Sequence, residues 1–144
     1  MAIADEKPLS LVHVLSSRIG RAFYSEIETR FGISIAEWQV VITIEAEPGI
    51  CAAEITNRWA LEKMSVNRAI QRLHNDGYVS RTRDPEDGRS YRLELTDKGK
   101  ALFAGIAPTA NARYNELMSV LNEDESAALL VALNKLIDKA ETLE

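Results

Sequence analysis

The sequence lacks the features that mark membrane, secreted and metal-binding proteins. Its one cysteine, Cys51, can neither form an intramolecular disulfide nor complete a structural zinc site alone. The longest apolar run, Ala127 to Leu133, is much shorter than the roughly 20 residues of a membrane-spanning helix. No basic segment followed by an apolar one stands at the start of the sequence. We therefore expect a cytoplasmic protein that needs no cofactor, metal or membrane.

Positive charge is in the minority overall but is concentrated in the middle of the sequence. The 144 residues include 17 lysines and arginines against 22 aspartates and glutamates, which gives a formal net charge of -5. Residues 58–92 hold eight basic and five acidic side chains, so this window carries +3 and the remaining chain -8. An acidic total does not exclude nucleic acid, because the location of the positive charge decides such binding. The basic middle is a first indication of a DNA partner.

Apolar periodicity predicts a mainly α-helical chain. The predicted helices cover residues 9–31, 34–46, 52–59, 63–76 and 97–122, followed by a last helix after 122. Ser34 and Glu37 have the spacing of a capping box, which supports a helix start at this point. Gly105 and Pro108 are expected to bend or interrupt the fifth helix.

A small β-hairpin is predicted where the apolar period changes from that of a helix to strict alternation. Residues 78–83 and 90–95 alternate as half-buried strands do, and turn-forming residues separate them. Tyr91, Leu93 and Leu95 are expected to share the buried face of the second strand. The predicted fold class is therefore mainly α with a small β-hairpin wing.

Two short helices, a tight turn and a charged hairpin have the layout of a winged helix-turn-helix. The polar side of the second helix would present Ser65, Asn67, Arg68, Gln71 and Arg72. Arginine can pair with guanine, and asparagine or glutamine with adenine, when such a helix lies in the major groove of DNA. A polar face of this kind is also common on ordinary solvated helices, so the helix alone does not establish DNA binding.

The hairpin favours DNA binding because arginines flank its tip. Arg81 and Arg83 alternate along the strand that leads into the tip, and Arg89 follows the tip. We expect Asp84 and Asp87 to hold the guanidinium of Arg89 by charge-assisted hydrogen bonds. An arginine held at the end of a hairpin can enter a narrow minor groove. The predicted DNA-binding residues are Lys63, Ser65, Asn67, Arg68, Gln71, Arg72, Arg81, Arg83, Asp87 and Arg89.

Four motifs, taken in order, resemble the MarR family of transcriptional regulators. They are Ser65 to Arg68 in the second helix, Leu73 to Arg81 before the tip, Asp84 to Arg89 at the tip, and Leu95 to Gly99 after it. The resemblance implies a homodimer that represses transcription from a pseudo-palindromic operator, with half-sites about one helical turn apart.

The resemblance also implies a division of labour within one domain, residues 1–144. Residues 8–31 and 97–144 would form dimerisation helices, and residues 34–96 would form the DNA-binding lobe. The sequence departs from the family pattern in two places. Trp59 is bulky where a smaller aliphatic residue is commoner, and the turn from Ala60 to Lys63 has no good N-cap.

Control by a small molecule is a further implication of the resemblance. Members of the family usually release DNA when an aromatic or phenolic effector, often an anion, binds the protein. Such a site needs apolar walls, a few polar groups and, for a carboxylate, a cation. His13, Arg18 and Trp38 are the candidate effector-binding residues. Each also has a structural interpretation, with Trp38 in the core, Arg18 in an ion pair and His13 packed or capping.

Cys51 offers an alternative means of control as a redox-sensing thiol. A thiol at a helix N-terminus has a lowered pKa and is correspondingly reactive. The structural interpretation is a small residue buried at a helix start, which is the usual role of a free cysteine. With no second cysteine, a switch would require an intersubunit disulfide or a sulfenic acid.

Two other classes of protein compete with the DNA-binding regulator. An enzyme is not expected, because the sequence has no Gly-x-Ser-x-Gly motif, no phosphate-binding glycine loop and no histidine pair at metal-binding spacing. A winged-helix adaptor that binds another protein is the second alternative. It would not need Arg68, Arg72 and Arg89 together, and its binding would not fall steeply with salt.

Overall fold

The computed structural model describes residues 7–144, and its elements follow the predicted order. They are α1 (Pro8–Phe31), α2 (Ile35–Ala46), α3 (Ala52–Trp59), α4 (Lys63–Asn75), β1 (Val79–Arg83), β2 (Tyr91–Leu95), α5 (Asp97–Met118) and α6 (Glu123–Glu141). The prediction of a mainly helical chain with one hairpin is confirmed. Residues 1–6 of the predicted domain lie outside the described residues.

Side-chain and glycine caps fix the junction between α1 and α2. Gly32 ends α1 with a φ of 67°, a left-handed conformation that glycine adopts without a steric penalty. The predicted capping box is present, since Ser34 Oγ accepts from the amide of Glu37 at 3.2 Å and Glu37 Oε2 accepts from the amide of Ser34 at 3.1 Å. The end of α1 and the start of α2 are therefore both closed by local caps.

The core of residues 7–110 is built around α2 and one face of α4. Residues on nearly every side of α2 are buried, because this helix packs against α1, α3, α4 and β2. The buried face of α4 consists of Val66, Ala69, Ile70 and Leu73, which recur at helical spacing. This predicted apolar face is confirmed, and it leaves the opposite face of α4 in solvent.

The hairpin is antiparallel and pairs Val79 with Leu95 at its base. The sequence did not predict that β2 has a second bonded edge. The amide of Gly49 donates to the carbonyl of Leu93 at 2.8 Å, and the amide of Leu93 donates to the carbonyl of Ile50 at 3.0 Å. The segment after α2 therefore holds the base of the hairpin against the core.

The start of α5 packs very closely against the base of the hairpin. Thr96 Oγ1 accepts from the amide of Gly99 at 3.1 Å, and the amide of Thr96 donates to the carbonyl of Tyr78 at 3.1 Å. A Cβ atom placed on Gly99 would lie 2.0 Å from that carbonyl oxygen. Only glycine fits at this position of the helix.

The long helix α5 continues through Pro108, so the predicted interruption is wrong. A bend there remains a prediction. The helix nevertheless ends at Met118, four residues before the predicted end. Residues 111–144 form a compact unit of their own, in which Asn122 and Glu125 make a capping box at the start of α6.

Two helices expose many large apolar side chains. On α6 no residue is buried, and the exposed set comprises Leu129, Leu130, Val131, Leu136 and Ile137. On α1 the exposed set comprises Leu9, Leu11, Val12, Val14 and Leu15. None of the helices within residues 7–144 has both the length and the apolar character that spanning a membrane requires.

Candidate nucleic-acid interface

The exposed side of α4 carries two parallel rows of polar residues. Lys63, Asn67 and Gln71 recur every four residues along one row, and Ser65, Arg68 and Arg72 form the other. Because an α-helix has 3.6 residues per turn, each row follows one edge of the exposed side. The two rows therefore face different neighbours.

The first row borders a cleft between α4 and the hairpin. The cleft has a volume of about 500 Å³, and its walls, which combine polar and apolar side chains, contain six of the ten predicted DNA-binding residues. These six are Lys63, Asn67, Gln71, Arg81, Asp87 and Arg89. The structure thus brings together side chains from two elements that are separated in sequence, and three of them are cations.

The second row borders a smaller depression, about 300 Å³, against the start of α2. Here Arg68 donates to Ser65 Oγ at 3.3 Å, which keeps both side chains near the N-terminal end of α4. Arg72 instead reaches away from the cleft, since Nη1 donates to the buried Glu37 at 2.9 Å and Nη2 donates to the carbonyl of Gly32 at 3.0 Å. Arg72 therefore ties the middle of α4 to the junction of α1 and α2.

The tip of the hairpin, residues 84–90, is held by its own aspartates. Asp84 Oδ1 accepts from the amide of Glu86 at 2.9 Å, and Asp87 Oδ1 accepts from the amide of Arg89 at 3.0 Å. Such bonds to the backbone two residues further along are typical of aspartate in turns. The remaining Asp84 oxygen faces Arg92 Nε at 3.4 Å.

These contacts correct the prediction that Asp84 and Asp87 hold the guanidinium of Arg89. Both carboxylates are engaged with the tip backbone and with Arg92 instead. Within residues 7–144 the Arg89 guanidinium makes no hydrogen bond or ion pair, although its backbone is fixed by Asp87. The cation at the end of the hairpin is therefore free to bind an external anion.

Acid should loosen the tip, because the pKa of Asp84 is lowered. The main cause is the hydrogen bond from the amide of Glu86, and Arg92 adds to it. A carboxylate with a lowered folded-state pKa stabilises its surroundings above the ordinary aspartate range, and this contribution is lost as the pH falls through the lowered value. We expect an NMR titration of the Asp84 carboxyl to show a midpoint below that of an unfolded chain. The Asp84→Asn variant should lose this pH dependence, and a midpoint at the ordinary value would contradict the assignment.

Arg83 lies outside both depressions and is bonded within the hairpin. Its Nη1 donates to the carbonyl of Gly88 at 3.0 Å, and its Nη2 donates to the hydroxyl of Tyr91 at 3.3 Å. Tyr91 is exposed rather than buried with Leu93 and Leu95, which corrects its predicted environment. Tyr91 is the first residue of β2, next to the tip of the hairpin, where the core does not cover its ring.

The candidate effector residues line neither of the two depressions. Trp38 is buried and stacks on Phe103, with ring centroids 5.7 Å apart, so its structural interpretation is confirmed. His13 and Arg18 are exposed on α1 and line neither depression.

Cys51 is half-buried at the N-cap of α3, and its amide donates to Glu54 Oε2 at 3.0 Å. This hydrogen bond is the main reason that the pKa of Glu54 is lowered.

Within residues 7–144, no group of three histidine, cysteine, aspartate or glutamate side chains is placed to hold a metal ion.

Both departures from the family pattern lie at the tight connection from α3 to α4. Trp59 closes α3, and its indole donates to the hydroxyl of the buried Thr43 at 2.8 Å, so the bulky ring is a bonded part of the lobe. The missing cap is confirmed, since the Glu62 side chain at the N-cap accepts no backbone amide of α4 and accepts only from Ser65 Oγ, at 3.3 Å. Two helices joined in this way and followed by a bonded hairpin define a winged helix-turn-helix protein, with α4 as the recognition helix and β1–β2 as the wing.

Comparison with known proteins finds similarity to one family of regulators. The model of the MarR family matches residues 31–90, from the end of α1 through the wing tip. The transcriptional repressor Mb2911 of Mycobacterium bovis is 27% identical over 139 residues, 94% of this chain and 98% of that protein. The regulator BilQ of Clostridioides difficile is 26% identical over 85 residues, which span 59% of this chain and 57% of that protein. Over these stretches the chain is similar to the MarR family of transcriptional regulators, the family that its motifs resemble.

Solved structures show the same fold over almost the whole chain. A MarR/EmrR family regulator from Acinetobacter sp. ADP1 has a TM-score of 0.88 at 23% identity, covering 96% of this chain and 98% of that one. PcaV of Streptomyces coelicolor, in complex with its natural ligand, has a TM-score of 0.79 at 22% identity, covering 95% and 96%. A mutant MarR from E. coli complexed with operator DNA has a TM-score of 0.78 at 24% identity, covering 94% and 98%.

Proposed function

We propose that this chain is a homodimeric repressor that binds a pseudo-palindromic operator through α4 and the wing. The observation that carries the proposal is the cleft, where Lys63 and Asn67 of α4 face Arg89 of the wing. An α-helix fits the major groove, while an arginine on a projecting hairpin fits the adjacent minor groove. Similarity to a MarR structure with operator DNA supports this assignment.

The ten predicted residues would divide between base contacts, phosphate contacts and positioning. Asn67 and Arg68 lie in the first half of α4, the part of a recognition helix that reaches base edges. Lys63 stands at the start of the same helix and would contact phosphate. Arg72 would act mainly by orienting α4, because its guanidinium already binds Glu37 and Gly32.

The dimer would bury the apolar faces that a single chain exposes. Exposed leucines and valines lie at the start of α1, exposed leucines, a valine and an isoleucine recur along α6, and no residue of α6 is buried. Exposed sets of large apolar side chains of this kind are typical of an interface. We assign residues 8–31 and 97–144 to dimerisation and residues 34–96 to DNA binding. Light scattering should give a solution mass of twice 16.0 kDa, and a monomer would contradict the dimer.

Release by a small aromatic or anionic effector completes the proposal. The fold is shared with PcaV, whose structure contains its natural ligand. His13 and Arg18 remain the candidates on α1, where an anion would find a cation exposed to solvent. Trp38 would contribute only by supporting the wall of such a site, because its ring is buried.

Selection of bound sequences from a random duplex pool tests the proposed function. Enrichment of an inverted repeat with half-sites about one helical turn apart is the expected result. Affinity should fall steeply with salt, because each neutralised phosphate releases condensed counterions. Binding that enriches no sequence would contradict an operator-specific repressor, and binding to a protein with little salt dependence would favour an adaptor.

A further inference from the structure

Tyr91 lies between two arginines of the wing. Its ring is 39% exposed at the start of β2, and the register pairs it with Arg83 across the hairpin. The guanidinium carbons of Arg81 and Arg83 lie 5.4 Å and 5.6 Å from the ring centroid. Both distances fall within the range of a cation–π interaction. Because residues 81 and 83 are two apart on one strand, both side chains lie on the face that Tyr91 covers.

Each arginine connects the ring to a different part of the DNA-binding surface. Arg83 donates to the carbonyl of Gly88, the residue immediately before Arg89. Arg81 donates to Gln71 Oε1 on α4 at 3.4 Å, and Gln71 Nε2 in turn donates to Asn75 at 2.8 Å. The ring is therefore in contact with two groups, one bonded to the wing tip and the other to the recognition helix.

The two arginines over the ring differ from Arg89 in their bonding. The Arg81 and Arg83 guanidiniums are occupied by acceptors within the protein, whereas the Arg89 guanidinium has no partner among residues 7–144. A side chain that is held by an aromatic face and a hydrogen bond has lost most of its freedom before DNA arrives. The geometry of Arg81 and Arg83 is better suited to holding the hairpin and α4 in place than to contacting phosphate.

We propose that Tyr91 is a positioning residue for DNA recognition, because its ring sets the spacing between α4 and the wing tip through Arg81 and Arg83. The inference rests on the proposed function, since the spacing matters only if both elements bind one duplex. A preset spacing reduces the cost of ordering the wing when it enters the minor groove. Tyr91 itself carries no charge and need not touch DNA.

The test compares Tyr91→Leu, which removes the ring, with Tyr91→Phe, which removes only the hydroxyl. Tyr91→Leu should weaken operator binding about ten-fold and leave the salt dependence unchanged, whereas Tyr91→Phe should stay within about two-fold of the original chain. In the free protein, Tyr91→Leu should also speed hydrogen exchange at the amides of Asp84 and Ser90, which are bonded within the tip. Tyr91→Thr, a β-branched strand residue, replaces Tyr91→Leu if that variant fails to fold.

A double-mutant cycle separates positioning from a general structural effect. If Tyr91 acts by placing Arg89, the ten-fold loss should shrink to about two-fold in an Arg89→Ala background. Additive losses, or equal losses in Tyr91→Leu and Tyr91→Phe, would overturn the inference while leaving the proposed function intact. A wild-type chain that selects no operator would overturn the proposed function instead. The hydrogen-exchange comparison would then still decide whether the ring holds the wing.

Discussion

Gly99→Ala should lower the free energy of unfolding by about 3 kcal/mol. The added Cβ would lie 2.0 Å from the carbonyl oxygen of Tyr78, a backbone atom that no side-chain rotation can move. The same oxygen accepts the amide of Thr96, so α5 could make room only by moving away from the base of the wing. Chemical denaturation followed by circular dichroism measures the loss.

Gly105→Ala is the matched control, because it adds the same methyl group to the same helix. The nearest atom to its Cβ would be a ring carbon of Phe31 at 3.9 Å, an ordinary contact. Alanine is favoured over glycine inside a helix by roughly 0.5–1 kcal/mol, so stability should stay the same or rise slightly. Equal effects at both positions would contradict the steric argument at Gly99.

Arg89→Ala should weaken operator binding by about 30-fold without changing the fold or the oligomeric state. The guanidinium is at the wing tip, lines the cleft and has no partner among residues 7–144, so its removal costs the free protein little. In the proposed complex, the same change would delete a cation from the minor groove. Fluorescence anisotropy at several salt concentrations should show the lower affinity and a log–log salt slope reduced by about 1 if the arginine neutralises a phosphate.

Lys100→Ala controls for the simple loss of positive charge. Lys100 is exposed on α5 and lines neither depression, so its replacement should change operator affinity by less than about two-fold. Unchanged affinity in Arg89→Ala would remove the wing tip from the DNA contacts. An equal loss in both variants would mean that long-range charge, and not the tip, accounts for the effect.

The elements of the fold were predictable because their signals are local. The capping box of Ser34 and Glu37 spans three residues, and the buried face of α4 follows from a period of 3.6. The alternation of the wing strands and the turn residues at its tip are equally short in range. All ten candidate DNA contacts were chosen from short local patterns on α4 and the wing. The structure places six of them around one cleft.

The partners of individual side chains were not predictable, because they depend on tertiary contacts. Arg72 lies on the polar face of α4, as predicted, but its acceptors on Glu37 and Gly32 lie 35 and 40 residues earlier in the chain. Tyr91 fits the alternation of β2, yet the core does not extend to the end of that strand. The partners of Arg72 and the environment of Tyr91 were missed for one reason, since a helical or strand period specifies a face and does not specify what covers it.

The hydrogen bonds of the wing tip have a consequence for how its sequence can vary. Four hydrogen bonds close the loop on itself, from the amides of residues 84, 86, 89 and 90 to acceptors on residues 84, 87 and 90. None of these four involves the core, and the other bonds to the tip come from Arg83 and Arg92 of the neighbouring strands, so the shape of residues 84–90 is set within the hairpin. If the tip binds DNA as proposed, a substitution at its outward positions would change the surface that meets the minor groove while the lobe beneath it keeps its sequence.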